Sequence, residues 1–106
     1  MSSVHAEVAR RYLLLILDAA RTADRERADD SSTYRAEEVI QAQLRKVGLP
    51  LRLAEMRGEL YYLYDKGLVK FHRERIGRED YFSWRITAEG VDVVQGTRAV
   101  PGIAGA

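Results

Sequence analysis

The sequence predicts a single α+β domain made of three helices, a two-stranded β-hairpin and a short final helix. Two observations carry this prediction. Apolar residues recur every three or four positions as far as Gly67, as in a helix, and at every second position after it, as in a strand. With 106 residues, 46% of them hydrophobic, the chain can bury one core and is too short for two domains.

The first helix is expected from Val4 to Ala23. Leu14 and Leu15 widen its apolar stripe beyond one face, which is typical of a helix that is central to the fold or shared with a partner. We therefore expect a homodimer that forms through this helix. The charged stretch from Asp24 to Ser32 has no apolar period and is expected to be a solvated, mobile connection.

Two more helices follow, separated by a very short turn. The second is expected from about Ala36 to Val47, with Ala36, Ile40, Leu44 and Val47 as its inner stripe and Gly48 at its end. The third is expected from about Arg52 to Lys66, and Gly67 ends it in a left-handed conformation.

A hairpin and a last helix complete the domain. Phe82, Trp84 and Ile86 alternate with polar residues, so Phe82 and Trp84 are expected to point inward, and Ile76–Asp80 is expected to form the turn. Thr87 is expected to cap a helix from Ala88 to about Gln95. These elements define a domain of residues 1–96, and residues 97–106 are expected to be a flexible tail.

Two stretches resemble those of bacterial winged-helix regulators. They are Glu59–Val69, with its Leu-x-x-Leu and Gly-Leu-Val residues, and Trp84–Gly90, with its Trp-x-Ile-Thr-x-x-Gly pattern. The resemblance implies a winged-helix fold, the helix-turn-helix variant in which the third helix usually enters the major groove of DNA.

A second resemblance covers Thr87–Gly102 together with Arg57–Val69. These stretches are similar to a family of small uncharacterised proteins encoded by Mu-like prophages, for which no activity is established. That resemblance implies a winged-helix fold and a phage setting, with no functional residue to carry over. In that family a Ser-Arg pair often opens the third helix, whereas Leu51-Arg52-Leu53 here has no hydroxyl.

The sequence carries no motif of catalysis or cofactor binding. It has no Gly-x-Ser-x-Gly, no Gly-rich phosphate loop and no cysteine, and its two histidines, His5 and His72, lie far apart. We therefore predict no catalytic residue, metal, cofactor or small-molecule ligand, and no enzyme activity. The longest apolar run, Tyr12–Leu17, is too short to span a membrane, so a soluble, cytoplasmic protein is expected.

The hairpin concentrates positive charge in a chain whose net charge is only +1. Between Lys66 and Ile86 there are six basic residues and three acidic ones. Wings of this kind contact phosphate or the minor groove, although charge on an edge strand also protects a sheet from aggregation. The predicted DNA contacts are Lys70, Arg73, Arg75 and Arg78 in the hairpin, with Arg52 and Arg57 on the flanks of the third helix.

The outward face of the third helix is not basic. It carries Ala54, Glu55, Gly58, Tyr61, Tyr62 and Asp65. Gly58 costs a helix about 1 kcal/mol relative to alanine, so close approach by another surface would explain it. The tyrosines are equally expected to pack under the hairpin or against the first helix.

Two functions are compatible with these features. The first is a non-enzymatic regulator that binds double-stranded DNA, derived from a phage. The alternative is a protein-interaction or assembly module of a Mu-like prophage without DNA binding. Its predicted contact residues are Ala54, Gly58, Tyr61, Tyr62 and Leu14.

Overall fold

The computed structural model describes residues 3–23 and 34–105. The expected order of elements is confirmed, and the charged stretch at residues 24–32 lies outside the described residues. In chain order the elements are α1 (Ser3–Ala23), β1 (Arg35–Ala36), α2 (Glu37–Lys46), α3 (Leu53–Asp65), β2 (Val69–Ile76), β3 (Glu79–Ile86) and α4 (Ala88–Gln95).

The described strands form one antiparallel sheet with β3 in the centre, β2 on one side and β1 on the other. The sequence did not predict β1, which is two residues long and pairs Arg35 with Trp84. The hairpin turn is shorter than expected, because the ladder continues to the pair Ile76–Glu79. Only Gly77 and Arg78 remain for the turn, and Gly77 takes a positive φ of 65° there. The hairpin therefore extends beyond the core as a regular two-stranded ribbon.

The core lies between α1, α2, α3 and the base of the hairpin. Trp84 is completely buried, which confirms its inward orientation, and Phe82 packs half-buried beside it. The largest fully buried side chains are Trp84, Leu13, Leu14, Leu17, Ile40, Leu44, Met56, Leu60, Leu63, Leu68 and Val69.

The prediction for Leu14 as a partner contact is wrong. Its side chain is 1% exposed and belongs to the core, so the wide stripe of α1 is mainly a consequence of its central position. Leu15 and Ile16 are half-buried and line a groove of about 580 Å³ between α1 and α2. The homodimer stays a prediction, and Leu14 no longer supports it.

The inner stripe of α2 is shifted from the expected one. Ala36 and Val47 are exposed, whereas Glu37, Ile40 and Leu44 are buried. A carboxylate thus occupies a core-facing position at the start of the helix. It requires a buried partner, since an unpaired charge there would be costly.

The segment after α4 is not a loose tail in the structure. Ile103 is 9% exposed, and the Ala104 amide donates to the Glu7 carbonyl oxygen at 3.2 Å. The Gly102 carbonyl oxygen accepts a bond of 2.9 Å from the Arg10 guanidinium. Residues 102–104 therefore pack against α1, and the expected boundary at residue 96 does not separate a packed part from a free one.

Candidate nucleic-acid interface

The register of the hairpin divides its side chains between two faces. Phe71 and Phe82 point towards α3, since their rings lie 5.9 Å and 6.5 Å from the ring of Tyr61. Side chains alternate between the two faces along each strand, so the register also assigns the other residues of β2 and β3 to a face. The inner face, on the α3 side, carries Val69, Phe71, Arg73, Arg75, Asp80, Phe82, Trp84 and Ile86. The outer face carries Lys70, His72, Glu74, Ile76, Glu79, Tyr81, Ser83 and Arg85.

Two of the predicted DNA contacts, Arg73 and Arg75, lie on the inner face, nearer to the turn than Phe71 on the same strand. Both are exposed, and Arg78 is exposed in the turn. The Arg73 side chain is 59% exposed, and its Nε lies 4.0 Å from a carboxylate oxygen of Asp80. An exposed ion pair of this length is worth little, so Arg73 remains available to another anion.

Lys70 lies on the other side of the sheet. It is paired in register with Arg85 on the outer face, away from Arg73 and Arg75. Towards the turn the outer face carries two acids, Glu74 and Glu79. A single duplex against the inner face would therefore not contact Lys70 in the way the sequence predicted.

Arg57 occupies a structural position. Its Nε and Nη2 donate to the two carboxylate oxygens of Glu37 at 3.0 Å and 2.7 Å. Glu37 is 3% exposed and also accepts a bond of 3.2 Å from the indole nitrogen of Trp84. The guanidinium lies 4.6 Å from the centre of the Phe82 ring. One residue pair thus ties α2, α3 and β3 together, and we call it the Glu37–Arg57 latch.

The Glu37–Arg57 latch also affects the pKa of Arg57. Hydrogen bonds to the Glu37 carboxylate raise the pKa of Arg57 above its ordinary value, against the opposing effect of partial burial. A bidentate pair of this kind has a preferred planar geometry, so Arg57 would have to leave its buried partner to reach a base. The sequence predicted that Arg57 contacts the DNA groove, whereas in the structure Arg57 joins α3 to α2 through the Glu37–Arg57 latch.

Arg52 is exposed immediately before α3. Its side chain cannot accept a hydrogen bond, so the missing hydroxyl cap is not replaced by it. Instead the Glu55 carboxylate accepts the Arg52 backbone N–H at 3.2 Å. The exposure of Arg52 is compatible with the DNA-contact prediction.

The small residues of α3 lie open to solvent. Ala54 and Gly58 are both exposed, and a Cβ added at Gly58 would meet no atom within 4 Å. No described part of the chain approaches Gly58 closely enough to require a glycine.

The two tyrosines pack within the domain, as one of the two expectations stated. Tyr61 lies edge-on to Trp84 at 5.5 Å and keeps 36% of its surface exposed. Tyr62 is half-buried, with the Arg10 guanidinium 3.6 Å from its ring centre and its hydroxyl donating to the Pro101 carbonyl oxygen at 3.2 Å. Of the two, only Tyr61 has its ring near the aromatic residues of the inner face of the hairpin.

Within residues 3–23 and 34–105, no group of three His, Cys, Asp or Glu side chains could hold a metal ion. No helix in those same ranges is long and apolar enough to cross a membrane. His72 is exposed, with its ring 6.2 Å from that of Tyr34.

Three helices, an antiparallel hairpin beside the third helix and a short helix after it define a winged-helix domain, in which the hairpin is the wing. The comparisons with solved structures give the same fold. A PadR-family transcriptional regulator from Eggerthella lenta matches with a TM-score of 0.57 and 18% identity, over 80% of this chain and 66% of that one. Bacillus subtilis PadR in complex with operator DNA matches with a TM-score of 0.57 and 16% identity, over 86% of this chain and 48% of that one.

At these identities the similarity is one of fold. This chain spans about two thirds of the length of the first neighbour and about half of the second. No family model matches the chain, and no curated protein matches it. The predicted kinship with proteins of Mu-like prophages receives no support from these comparisons, whereas the broader resemblance to winged-helix regulators is confirmed at the level of the fold.

Proposed function

We propose that this protein is a non-enzymatic regulator of transcription that binds double-stranded DNA. In this proposal α3 lies in the major groove, and the inner face of the wing holds the phosphate backbone beside it. The observation that carries the proposal is the register of the hairpin. In this register Arg73 and Arg75 lie on the face of the hairpin that is turned towards α3. One DNA duplex could therefore contact both α3 and these two arginines.

The distribution of charge supports the same orientation. The wing arginines are exposed, and Arg73 is only weakly paired, whereas the acids of the hairpin, apart from Asp80, lie on the outer face. One of the structural neighbours is in complex with operator DNA, which makes DNA the natural partner to test first.

The test is a titration of the full chain against labelled duplex DNA of mixed sequence at low salt, where electrostatic binding is strongest. We expect the variant with Arg73→Ala, Arg75→Ala and Arg78→Ala to bind any duplex more weakly. Arg98→Ala removes one exposed charge from the segment after α4 and is the control for a charge lost outside the wing, with unchanged binding expected.

Arg52→Ala adds a second comparison, since Arg52 lies at the start of α3. It should weaken a preferred sequence more than a random one, because a base contact carries sequence information and a phosphate contact does not. Absence of binding to any duplex at low salt would overturn the proposal. The charge of the wing would then protect its strand edges, and the interaction-module alternative would lead.

A further inference from the structure

Most polar side chains of α3 are already occupied within the chain. Arg57 is held by Glu37 through two hydrogen bonds. Glu59 accepts a bond of 2.6 Å from the Nε of Arg10, and both side chains are only 16% exposed. These groups can reach a base edge only by giving up their partners, at the cost of leaving a half-buried charge unpaired.

The outward side of α3 presents a different chemistry. Ala54, Gly58, Tyr61 and Asp65 follow one another at spacings of four, three and four residues, so they lie on one line along the helix. All four are exposed. From its N-terminal end this line offers a methyl group, a stretch of bare backbone and an aromatic ring before it reaches a carboxylate. The groups that usually read bases, on Arg, Lys, Asn and Gln, are absent from these four positions.

Tyr61 packs against three other rings and is still 36% exposed. Its ring is fixed edge-on by Phe71 at 5.9 Å, Phe82 at 6.5 Å and Trp84 at 5.5 Å. Because the ring is already held, binding would not have to order it. A partly exposed aromatic ring that is packed between α3 and the wing is suited to an apolar contact of defined position.

In the major groove the C5-methyl group of thymine is the apolar feature, and the other groups are hydrogen-bond donors or acceptors. Resting on the proposed function, we propose that α3 recognises thymine methyl groups through the Ala54 methyl and the edge of the Tyr61 ring. The DNA that it selects is then rich in A·T pairs. Arg52 lies before the helix and off this line, so any guanine contact from it is separate.

The test compares two duplexes of the same A·T-rich sequence, one made with thymidine and the other with deoxyuridine, which lacks only the C5 methyl. Fluorescence anisotropy at one fixed low salt concentration gives both affinities. We expect tighter binding of the thymidine duplex by about fourfold for each methyl group buried. A G·C-rich duplex should gain affinity when cytosine is replaced by 5-methylcytosine, which carries its methyl on the same ring carbon.

A variant assigns the effect to α3. Ala54→Ser converts an exposed methyl into a hydroxymethyl group, and we expect it to reduce the thymidine preference without changing the affinity for the deoxyuridine duplex. Ala19→Ser, at an exposed alanine inside α1, is the matched control and should keep the preference. Tyr61→Leu should also reduce the preference, with circular dichroism as the check on its fold.

The outcomes separate this inference from the function on which it rests. Equal affinity of the wild-type protein for the two duplexes overturns methyl recognition and leaves DNA binding intact. A preference that survives both Ala54→Ser and Tyr61→Leu overturns the assignment to α3. Failure to bind either duplex at low salt overturns the proposed function itself.

Discussion

α3 and the wing carry their arginines in opposite ways. In α3, Arg57 makes two hydrogen bonds to Glu37, a carboxylate that is 3% exposed. In the wing, Arg73 is 59% exposed and stands 4.0 Å from the carboxylate of Asp80. The first arginine is part of the architecture, and the second is available to a partner.

The difference shows that the position of a cation in a winged-helix fold does not establish its role. What decides is whether an acid lies buried beside it. A buried carboxylate cannot be left without a partner, so it holds its arginine in the folded state. An exposed carboxylate is hydrated in any case and competes only weakly with phosphate.

The largest expected effect of this contrast is on stability. Arg57→Ala leaves the buried Glu37 carboxylate with the Trp84 indole as its remaining hydrogen-bond donor. We therefore expect the free energy of unfolding to fall by about 3 kcal/mol. The partial exposure of Arg57 reduces this loss slightly. Arg73→Ala should change it by less than about 0.5 kcal/mol. Urea denaturation of both variants measures the contrast, and equal losses would show that the latch is not structural.

Two further predictions test the stabilising role of Arg57 in more detail. Arg57→Lys keeps the charge but loses the fork that matches a carboxylate, so it should recover only part of the stability. The pKa of Arg57 is raised in the folded protein, so the charged guanidinium stabilises the fold. This stabilisation is complete below the pKa of an arginine in the unfolded chain. It is lost only as the pH rises through the higher pKa of the folded protein. The difference between wild type and Arg57→Ala should therefore stay constant from neutral to mildly alkaline pH.

A smaller effect of opposite sign is expected at Gly58. A Cβ added at Gly58 would meet no atom within 4 Å. Gly58→Ala should therefore stabilise the domain by about 1 kcal/mol, because alanine has the higher helix propensity. Gly90 in α4 is the contrasting glycine, because a Cβ there would fall on the Leu68 carbonyl oxygen and the Ile86 side chain. Gly90→Ala should destabilise by about 1–3 kcal/mol. A destabilised Gly58→Ala variant would mean that α3 is not open on this side.

The smallest effect concerns the outer face of the wing. The Tyr81 hydroxyl donates to the Glu79 carboxylate at 2.9 Å, and this bond raises the pKa of Tyr81 above its ordinary value. Glu79→Gln should lower the pKa of Tyr81 towards that of a free tyrosine, as measured by carbon NMR of the tyrosine rings across alkaline pH. An unchanged titration would contradict the pairing of this acid within the outer face.

The fold could be predicted from the sequence because its signals are local. Periods of 3.6 and 2 separate the helices from the hairpin at Gly67, and the cap at Thr87 is confirmed by its bond of 3.1 Å from the Gly90 amide. The strand β1 could not be predicted, since a two-residue strand has no period and exists only through its pairing with β3.

The site was less predictable because its decisive contacts are distant in the chain. Glu37 and Arg57 are 20 positions apart, and the fold brings them together. A signal was present, since Glu37, Ile40 and Leu44 share a helical spacing and place an acid on the inner stripe of α2. Alternation likewise separates Lys70 from Arg73 and Arg75, so the wing prediction could have been narrowed to one face from the sequence.

The packing of the segment after α4 had no such signal. Small residues and Pro101 are typical of a loose terminus, yet Arg10 and Tyr62 both bond to backbone carbonyl oxygens of this segment. Backbone acceptors are available in every sequence. Their use depends on the partners that α1 and α3 place nearby.

The salt dependence of duplex binding tests most directly whether the inner face of the wing holds phosphate. Arg75→Ala and Lys70→Ala each remove one exposed positive charge from β2, on the inner and outer face respectively. We predict that the slope of log affinity against log salt concentration becomes shallower by about 0.9 for Arg75→Ala and is unchanged for Lys70→Ala. Equal changes in the two variants, or no change in either, would contradict the account.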